Sequence, residues 1–513
     1  MLQSVRLGLG QFARNRKGSV AILFGLAIIP IILGVGIGID YGRALFVRDR
    51  MNDAVDAAAL AIGSWPGMGE AELKAKAQQY FAANYPPSEL GTVGKLDVSF
   101  SGDNIIVSVT GSVPTTFMHL ANFSSVDVGA QAVVTKKERN IELALVLDTT
   151  GSMAYSGKMS AMQTAAKTMV QDLFKSKSGS DSLKIAVVPF SAAVNIGSDK
   201  DNSGWLDTKT YSSMSDVAME DHNFKHGESN LGLYKDLNNR KWAGCVRERA
   251  GDDYELTDAP PTSGAQASLF TPYLAPDEPD GDHDDGKYYY NNYIDDGNCG
   301  TGQGNINPKT CQRYTGKYKG ATASTSGGRG PDFNCPIRAM TELTDNQGQV
   351  ISGIEELQPS GSTVIPAGLL WGWRALSPGE PYTQGAAYNN EKYVKAIVLL
   401  TDGENSVNGG TNGHNESVYN AFGYAAEGHL GSTNGSNAES TLDSKTATVC
   451  NSIKAKGILI YTIGFQLSDS TTKNLLKNCA TRPDMYYNSP SNEQLASVFK
   501  DITQGLGELR IAQ

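Results

Sequence analysis

From Gly18 to Ile39 the chain reads GSVAILFGLAIIPIILGVGIGI, without a charged residue. A stretch of this length and polarity fits a helix crossing the hydrocarbon layer, where each backbone N–H and C=O must be satisfied within the segment. A cleaved signal peptide is the alternative. Its apolar region is shorter and ends at small residues before a cut site. This run is long, carries Pro30 and leads straight into another helix-like stretch, which favours an uncleaved anchor. Arg6, Arg14, Arg16 and Lys17 precede the run and argue for a cytoplasmic N-terminus; Arg43, Arg48 and Arg50 follow it and weaken that bias.

The rest of the 513 residues is long enough for more than one domain, and 40% hydrophobic against 19% charged residues predicts a globular chain. A formal charge of −10 argues against a nucleic-acid binder, which needs a basic face, and is compatible with divalent cations. The cysteines are Cys245, Cys299, Cys311, Cys335, Cys450 and Cys479, and none forms a CxxC pair. An even number of scattered cysteines behind an anchor fits disulfides in an oxidising compartment, the alternative being free buried thiols. Cys450 and Cys479 fall on successive predicted helices around one strand and are the best pair. The other four would cross-link the irregular segment in which they lie.

After a basic tail (1–17) and the spanning segment (18–40), residues 41–138 read as a helical and β stalk. MNDAVDAAALAIG and EAELKAKAQQYFAANY have helical spacing before Pro86-Pro87. KLDVSFSGDNIIVSVTGSVPTTFM alternates like two strands about Gly102-Asp103, and VDVGAQAVVTKK reads as a third. From 139 to 513 buried strands alternate with helices: IELALVLD, KMSAMQTAAKTMVQDLF, LKIAVVPFS, then, after a Gly-, Asp-, Asn- and Tyr-rich insertion at about 197–347, VIPAGLLWGWRAL, KYVKAIVLLTDG, SKTATVCNSIKAKG, ILIYTIGF, TTKNLLKNCA and SNEQLASVFKDITQGLGEL. That alternation predicts an α/β fold with a mainly parallel sheet flanked by helices, its ligand site at the carboxyl ends of the strands.

The strand ends carry the chemistry. Asp148 closes IELALVLD, with Thr150 and Ser152 close behind. Ser362 and Thr363 precede a helix, and Thr401, Asp402 and Glu404 follow another buried strand. Hydroxyls from Thr150, Ser152 and Thr363 with carboxylates from Asp148 and Asp402 form a hard oxygen set suited to Mg²⁺, with Mn²⁺ or Ca²⁺ also possible. The alternative is that these are ordinary turn and N-cap residues.

DTTGSM, GSTVIPAG and LLTDGEN, in that order, resemble the three loops of a von Willebrand factor A domain with its metal-ion-dependent adhesion site, Thr150 standing where the family's first loop has Ser. The resemblance implies direct ligation by Thr150, Ser152 and Thr363, with Asp148 and Asp402 acting mostly through water, and a metal position left open for a partner's carboxylate. A second resemblance lies in FARNRKGSVAILFGLAIIPIILGVGIGIDYGRALFVRDRMNDAVDAAALA, which is similar to the anchor of TadE/TadG-like proteins of the Flp, or tight-adherence, pilus system. Pilin-like relatives processed after a glycine carry a Glu a few residues on; Gly18 is followed by SVAILF, so the anchor is expected to stay uncut.

Other features carry less. DEPDGDHDDG (Asp277–Gly286) is acidic but lacks EF-hand spacing, and a solvated loop is the expectation over a calcium site. His222 and His226 have helical metal-pair spacing without a third ligand. SGGRG about Arg329 follows no strand and is not expected to cradle phosphate. YYYNNY would either face a partner or pack the insertion onto its domain. No nucleophile motif is present, so an enzyme is not expected. The expectation is a single-pass bacterial inner-membrane protein whose periplasmic domain binds a protein partner, a pilus-assembly component, through a divalent cation, with neither nucleic acid nor small-molecule substrate. The rivals are a surface or secreted metal-dependent adhesin binding host or matrix protein, and a structural anchor with a vestigial metal site.

Overall fold

A computed structural model describes residues 18–63, 70–86, 91–101, 104–135, 137–175, 182–208, 228–251, 253–262, 264–280, 289–297, 311–312, 314–407, 413–430, 432–509 and 511–512. The basic tail, the Gly102-Asp103 turn, His222, His226, residues 281–288 and Cys299 lie outside them. The chain forms two compact units that meet in sequence between Glu138 and Arg139, and the residues from Ile511 belong with the first.

In the first unit, α1 (Gly18–Gly63) is one helix of 46 residues with Pro30 inside. It is long and apolar enough to cross a membrane. Its large side chains from Ile22 to Val35 are exposed on every side. From Gly36 onward one stripe is buried, through Asp40, Ala44, Val47, Met51, Val55, Ala58 and Ile62, which is the 3.6-residue period of a helix packed on one face. The stripe shares a core with α2 (Glu70–Asn84) and an antiparallel sheet of β1 (Thr92–Val93), β2 (Asp97–Ser101), β3 (Asn104–Pro114) and β4 (Ser125–Thr135). β3 is central, paired with β4 along its length and with β1 and β2 on its other edge. Ile105, Val107 and Val109 alternate inward from it, the two-residue period of a strand with one buried face.

The second unit is mixed α/β. Its central strand β6 (Asn140–Asp148), which follows the two-residue β5 (Lys137–Glu138), is buried from Ile141 to Asp148. Ile141, Leu143, Leu145 and Leu147 enter one core cluster while Ala144 and Val146 enter the other, so the strand is covered on both faces. α3 (Lys158–Lys175) follows, then β7 (Leu183–Phe190), parallel to β6, and the antiparallel edge strands β8 (Val194–Asn195) and β9 (Cys245–Val246), separated by α4 (Asn230–Asp236). β10 (Thr341–Thr344) pairs antiparallel with β7 and leads into α5 (Gln347–Glu355) and α6 (Ile365–Leu376). β11 (Tyr393–Thr401) lies parallel to β6, and after α7 (Ala438–Ala455), β12 (Leu459–Phe465) lies parallel to β11. α8 (Ser470–Cys479), β13 (Tyr486–Ser489), parallel to β12, and α9 (Asn492–Leu509) complete the unit. β14 (Ile511–Ala512) then pairs antiparallel with β5. Helices α3, α5 and α9 bury their apolar faces in one cluster; α6, α7 and α8 bury theirs in the other.

The irregular insertion contributes to the core. Trp205, Leu233, Tyr234, Phe270, Tyr273, Tyr293 and Tyr318 join the cluster around α6, which is why every residue of α6 is buried, Trp371, Trp373 and Arg374 included. Arg374 is charge-paired with buried Glu248 at 2.7 Å. Of the YYYNNY run, Tyr289 and Tyr293 are buried, so it packs the insertion onto its domain. At the start of the acidic segment Asp277 and Glu278 are buried rather than solvated, while residues 281–286 lie outside the described residues. Lys317 bridges Asp277 at 2.6 Å and Asp296 at 2.7 Å, so a side-chain ammonium neutralises these carboxylates.

Disulfides Cys450–Cys479 and Cys245–Cys335 are present, Cys311 is also disulfide-bonded, and no cysteine among the described residues is free. The first joins α7 to α8 as the sequence suggested; the second ties β9 to the end of the insertion.

Candidate functional site

Parallel pairing of β6 with β11 sets Leu147 opposite Leu400, so Asp148, one residue beyond the first, and Asp402, two beyond the second, emerge as neighbours at the carboxyl edge of the sheet. The loop after β6 and the loop before α6 are then joined by backbone hydrogen bonds. Gly151 N–H donates to Gly361 O at 2.9 Å and Ser360 N–H to Thr149 O at 2.7 Å. Thr363 and Ser406 exchange amide bonds of 3.2 and 2.9 Å, which fasten the second loop to the third. Three segments distant in sequence are therefore held as one rim, with little freedom left to lose when a ligand binds.

Asp148 is fully buried. Its Oδ1 accepts the Thr150 N–H at 2.8 Å and its Oδ2 the Thr401 hydroxyl at 2.7 Å. Burial, and then the charge of neighbouring Asp402, push its carboxyl up to about 6. The Ser152 hydroxyl donates to Asp402 Oδ1 at 2.6 Å and lies 2.9 Å from Thr150 Oγ1. Asp402 Oδ2 accepts from Lys158 Nζ at 2.7 Å. A Cβ placed on Gly403 would lie 3.8 Å from Thr363 Oγ1 and 3.9 Å from Ser152 Oγ, so the two hydroxyls flank one small space that the glycine leaves clear. All five residues read from the sequence lie on this rim.

The capping alternative meets part of the geometry. Asp148 does close a turn onto Thr150. Thr150 stands at the N-cap of a short 3-10 turn, Gly151–Ala154, but its side chain takes no amide there, and Thr363 is not the N-cap of α6; the amide of Ile365, at the start of α6, is taken by Asn405 Oδ1 at 2.9 Å. The hydroxyls of Ser360 and Ser362 are buried without a hydrogen-bond partner. The rim opens on a groove of about 460 Å³ lined by Thr150, Ser152, Ser362, Thr363 and Glu404, with Tyr290, Phe333 and Asn334 of the insertion as its far wall.

The residues present fit a hard divalent cation. The donors are hydroxyl and carboxylate oxygens; a six-coordinate ion with bonds of ~2.1 Å has neighbouring ligands ~2.9 Å apart, close to the Thr150–Ser152 separation. Thr150, Ser152 and Thr363 would hold such an ion directly if the site follows the resemblance. Asp148 and Asp402 supply the charge. Among the described residues no cluster of three or more His, Cys, Asp or Glu exists, so a cation held by carboxylates and imidazoles alone has no site there.

Lys158 was not anticipated. Its signal was weak but present: a lysine opens α3, where the exposed amides of a helix start favour an acid. Asp402 supplies that acid from across the sheet.

Among solved structures, the chain is similar to the von Willebrand factor domain of the type V pili tip protein Mfa5 from Porphyromonas gingivalis, at 11% identity over 73% of this chain and 97% of that one, with a TM-score of 0.34. It is similar to the pilus adhesin SpaC from Lactobacillus rhamnosus GG at 11% identity, covering 82% of this chain and 34% of that one, with a TM-score of 0.33. The PilB minor pilin from Streptococcus sanguinis matches at 14% identity over 82% and 78% of the two chains, with a TM-score of 0.32. No curated protein matches the chain. Residues 18–63, the whole of α1, match the Tad family, Flp pilus-assembly TadE/G-like.

Proposed function

We propose that this protein is a membrane-anchored component of Flp pilus assembly whose α/β unit, of von Willebrand A type, binds a protein partner through a divalent cation. The observation that carries the metal reading is the rim: Thr150, Ser152, Thr363, Asp148 and Asp402 come from three separate loops to one small space. The family match of α1 supports the pilus assignment and the anchor. The cation, Mg²⁺ or its near equivalents Mn²⁺ and Ca²⁺, would neutralise the two aspartates and present an unsaturated position to a carboxylate on the partner. The reading is of a binding site rather than a catalytic one. In this reading the short N-terminus stays in the cytoplasm and the α/β unit works in the periplasm.

The test is a count of surface pili by electron microscopy in three strains: one lacking the gene, one restored with the natural sequence, and one restored with Asp148→Ala at matched protein level. Pili lost on deletion and regained only with the natural sequence are the expected result. Pili unchanged on deletion would remove the assembly reading and leave an adhesin. Pili restored by Asp148→Ala would make the metal site dispensable.

A further inference from the structure

We infer that the tip of the β3–β4 hairpin, residues 115–124, is a membrane-contacting element that rests in the leaflet through which α1 leaves the bilayer. The inference rests on the anchor reading of α1 and adds a second contact with lipid.

The argument starts from where α1 stops being naked. Its apolar run ends at Ile39, yet its buried stripe begins at Gly36, one turn earlier. With a rise of ~1.5 Å per residue, protein packing therefore begins ~5 Å inside the end of the apolar run. The group packed there is the hairpin tip. A Cβ on Gly36 would fall 2.3 Å from the Cβ of Phe117, so the phenylalanine sits directly against the glycine backbone. One turn later, Asp40 fastens the tip from above. Its carboxylate accepts the N–H groups of Thr116 at 3.1 Å, Phe117 at 2.7 Å and Met118 at 2.8 Å, and Arg43 donates to the Thr116 hydroxyl at 3.1 Å. The first acid after the apolar run is thus satisfied by the tip's amides and needs no water at the membrane boundary. Those amides, in turn, are not left bare.

What the tip then presents includes two large apolar side chains, beside exposed His119, Asn122 and Ser124. Leu120 is 74% exposed, the most exposed large hydrophobic side chain among the described residues, and Phe123 is 60% exposed. Leu120 lies within a short turn, Met118–Ala121, closed by Asn122 in a left-handed conformation, and Phe123 follows it. A water-facing hairpin gains nothing from a leucine and a phenylalanine at its end. Beside a spanning helix they continue its apolar surface sideways, and Tyr41, exposed at the same level, has the amphipathic character of residues at the headgroup boundary. The occupant is the bilayer itself because the tip is bonded to the helix at the depth where the apolar run ends.

The full chain, reconstituted in phosphatidylcholine–phosphatidylglycerol vesicles, tests this by nitroxide accessibility. Labels are placed singly at Leu120→Cys and Phe123→Cys, with Ile28→Cys as the spanning reference and Tyr155→Cys as the aqueous reference. Expected is a collision rate with a water-soluble nickel chelate several-fold lower at 120 and 123 than at 155, with oxygen collisions as frequent as at 28. Gly36→Leu, which displaces Phe117, should raise nickel access at 120 and leave 28 unchanged. Position 28 in lipid with 120 and 123 in water would overturn the tip contact while the anchor stands. Labels at 120 and 123 shielded from both reagents would mean that protein covers the tip, which also overturns it. Position 28 in water would overturn the anchor and the tip contact together.

Discussion

The α/β unit contains two lysine–aspartate clusters of nearly the same composition and opposite character. At Asp277 and Asp296, Lys317 reaches both carboxylates and is 3% exposed. The free oxygen of Asp277 is filled by the amides of Tyr293 and Ile294, and that of Asp296 by the amide of Asp280. At Asp148 and Asp402, Lys158 reaches one oxygen of Asp402 only and is 15% exposed. The remaining oxygen faces a serine hydroxyl at the edge of an open groove. Carboxylate count therefore does not identify a cation site. In the proposed reading, the distinguishing feature is oxygens whose partners can turn away, beside an opening.

The largest expected contrast comes from removing each ammonium. Lys317→Met leaves buried carboxylates without their counter-charge, and a loss of about 3–5 kcal/mol in unfolding free energy is expected from urea titration. A loss below about 1 kcal/mol would mean that the cluster is not sealed. The pH dependence sharpens the same point. Burial pushes the Asp277 carboxyl up to about 7 even with Lys317 beside it. The folded chain then holds a proton where the unfolded chain has already released one, so this residue's contribution to stability is fully present below pH ~4 and declines until pH ~7. Asp277→Asn should flatten that part of the stability–pH profile; an unchanged slope would assign it to other groups.

At the open cluster, Asp402 is buried and Lys158 15% exposed beside a groove, so Lys158→Met is expected to cost less stability than Lys317→Met. It should instead raise Mg²⁺ affinity several-fold in calorimetric titration, because the side chain that competes for Asp402 is gone. Unchanged affinity would detach Lys158 from the site. The smallest expected change is Gly403→Ala. Its methyl meets the Thr363 and Ser152 hydroxyls at ordinary contact distances, so folding should be unaffected while cation binding weakens modestly. Equal affinity would place the cation elsewhere on the rim.

The open cluster was legible in the sequence because its parts are punctuation: Asp148 and Asp402 each end an apolar run, and Thr363 precedes a helix. The nearly continuous apolar run Ile141–Leu147 similarly announced a strand covered on both faces. The sealed cluster was not legible. Asp277, Asp296 and Lys317 lie in a segment without period, and nothing local distinguishes a buried aspartate there from its solvated neighbours. Lys158 meets Asp402 across 244 positions, a distance over which a single sequence carries no signal. The insertion's core was hidden for a related reason. Trp205, Phe270, Tyr273 and Tyr318 are spaced irregularly among glycines and asparagines, so they form a core only through tertiary contacts.

The pairing of β5 with β14 has a consequence for architecture. The chain leaves the first unit at Glu138 and comes back at Ile511, and those two points are neighbours on one antiparallel ribbon. The α/β unit is thus spliced into its host as a closed loop. Its ends meet, so it can in principle be exchanged for a short turn, which would convert the ribbon into an ordinary hairpin, or for another domain whose ends also meet. A unit built this way is a socket: its cargo can be replaced by evolution, or by a designer, without redrawing the apolar helix and sheet of the first unit.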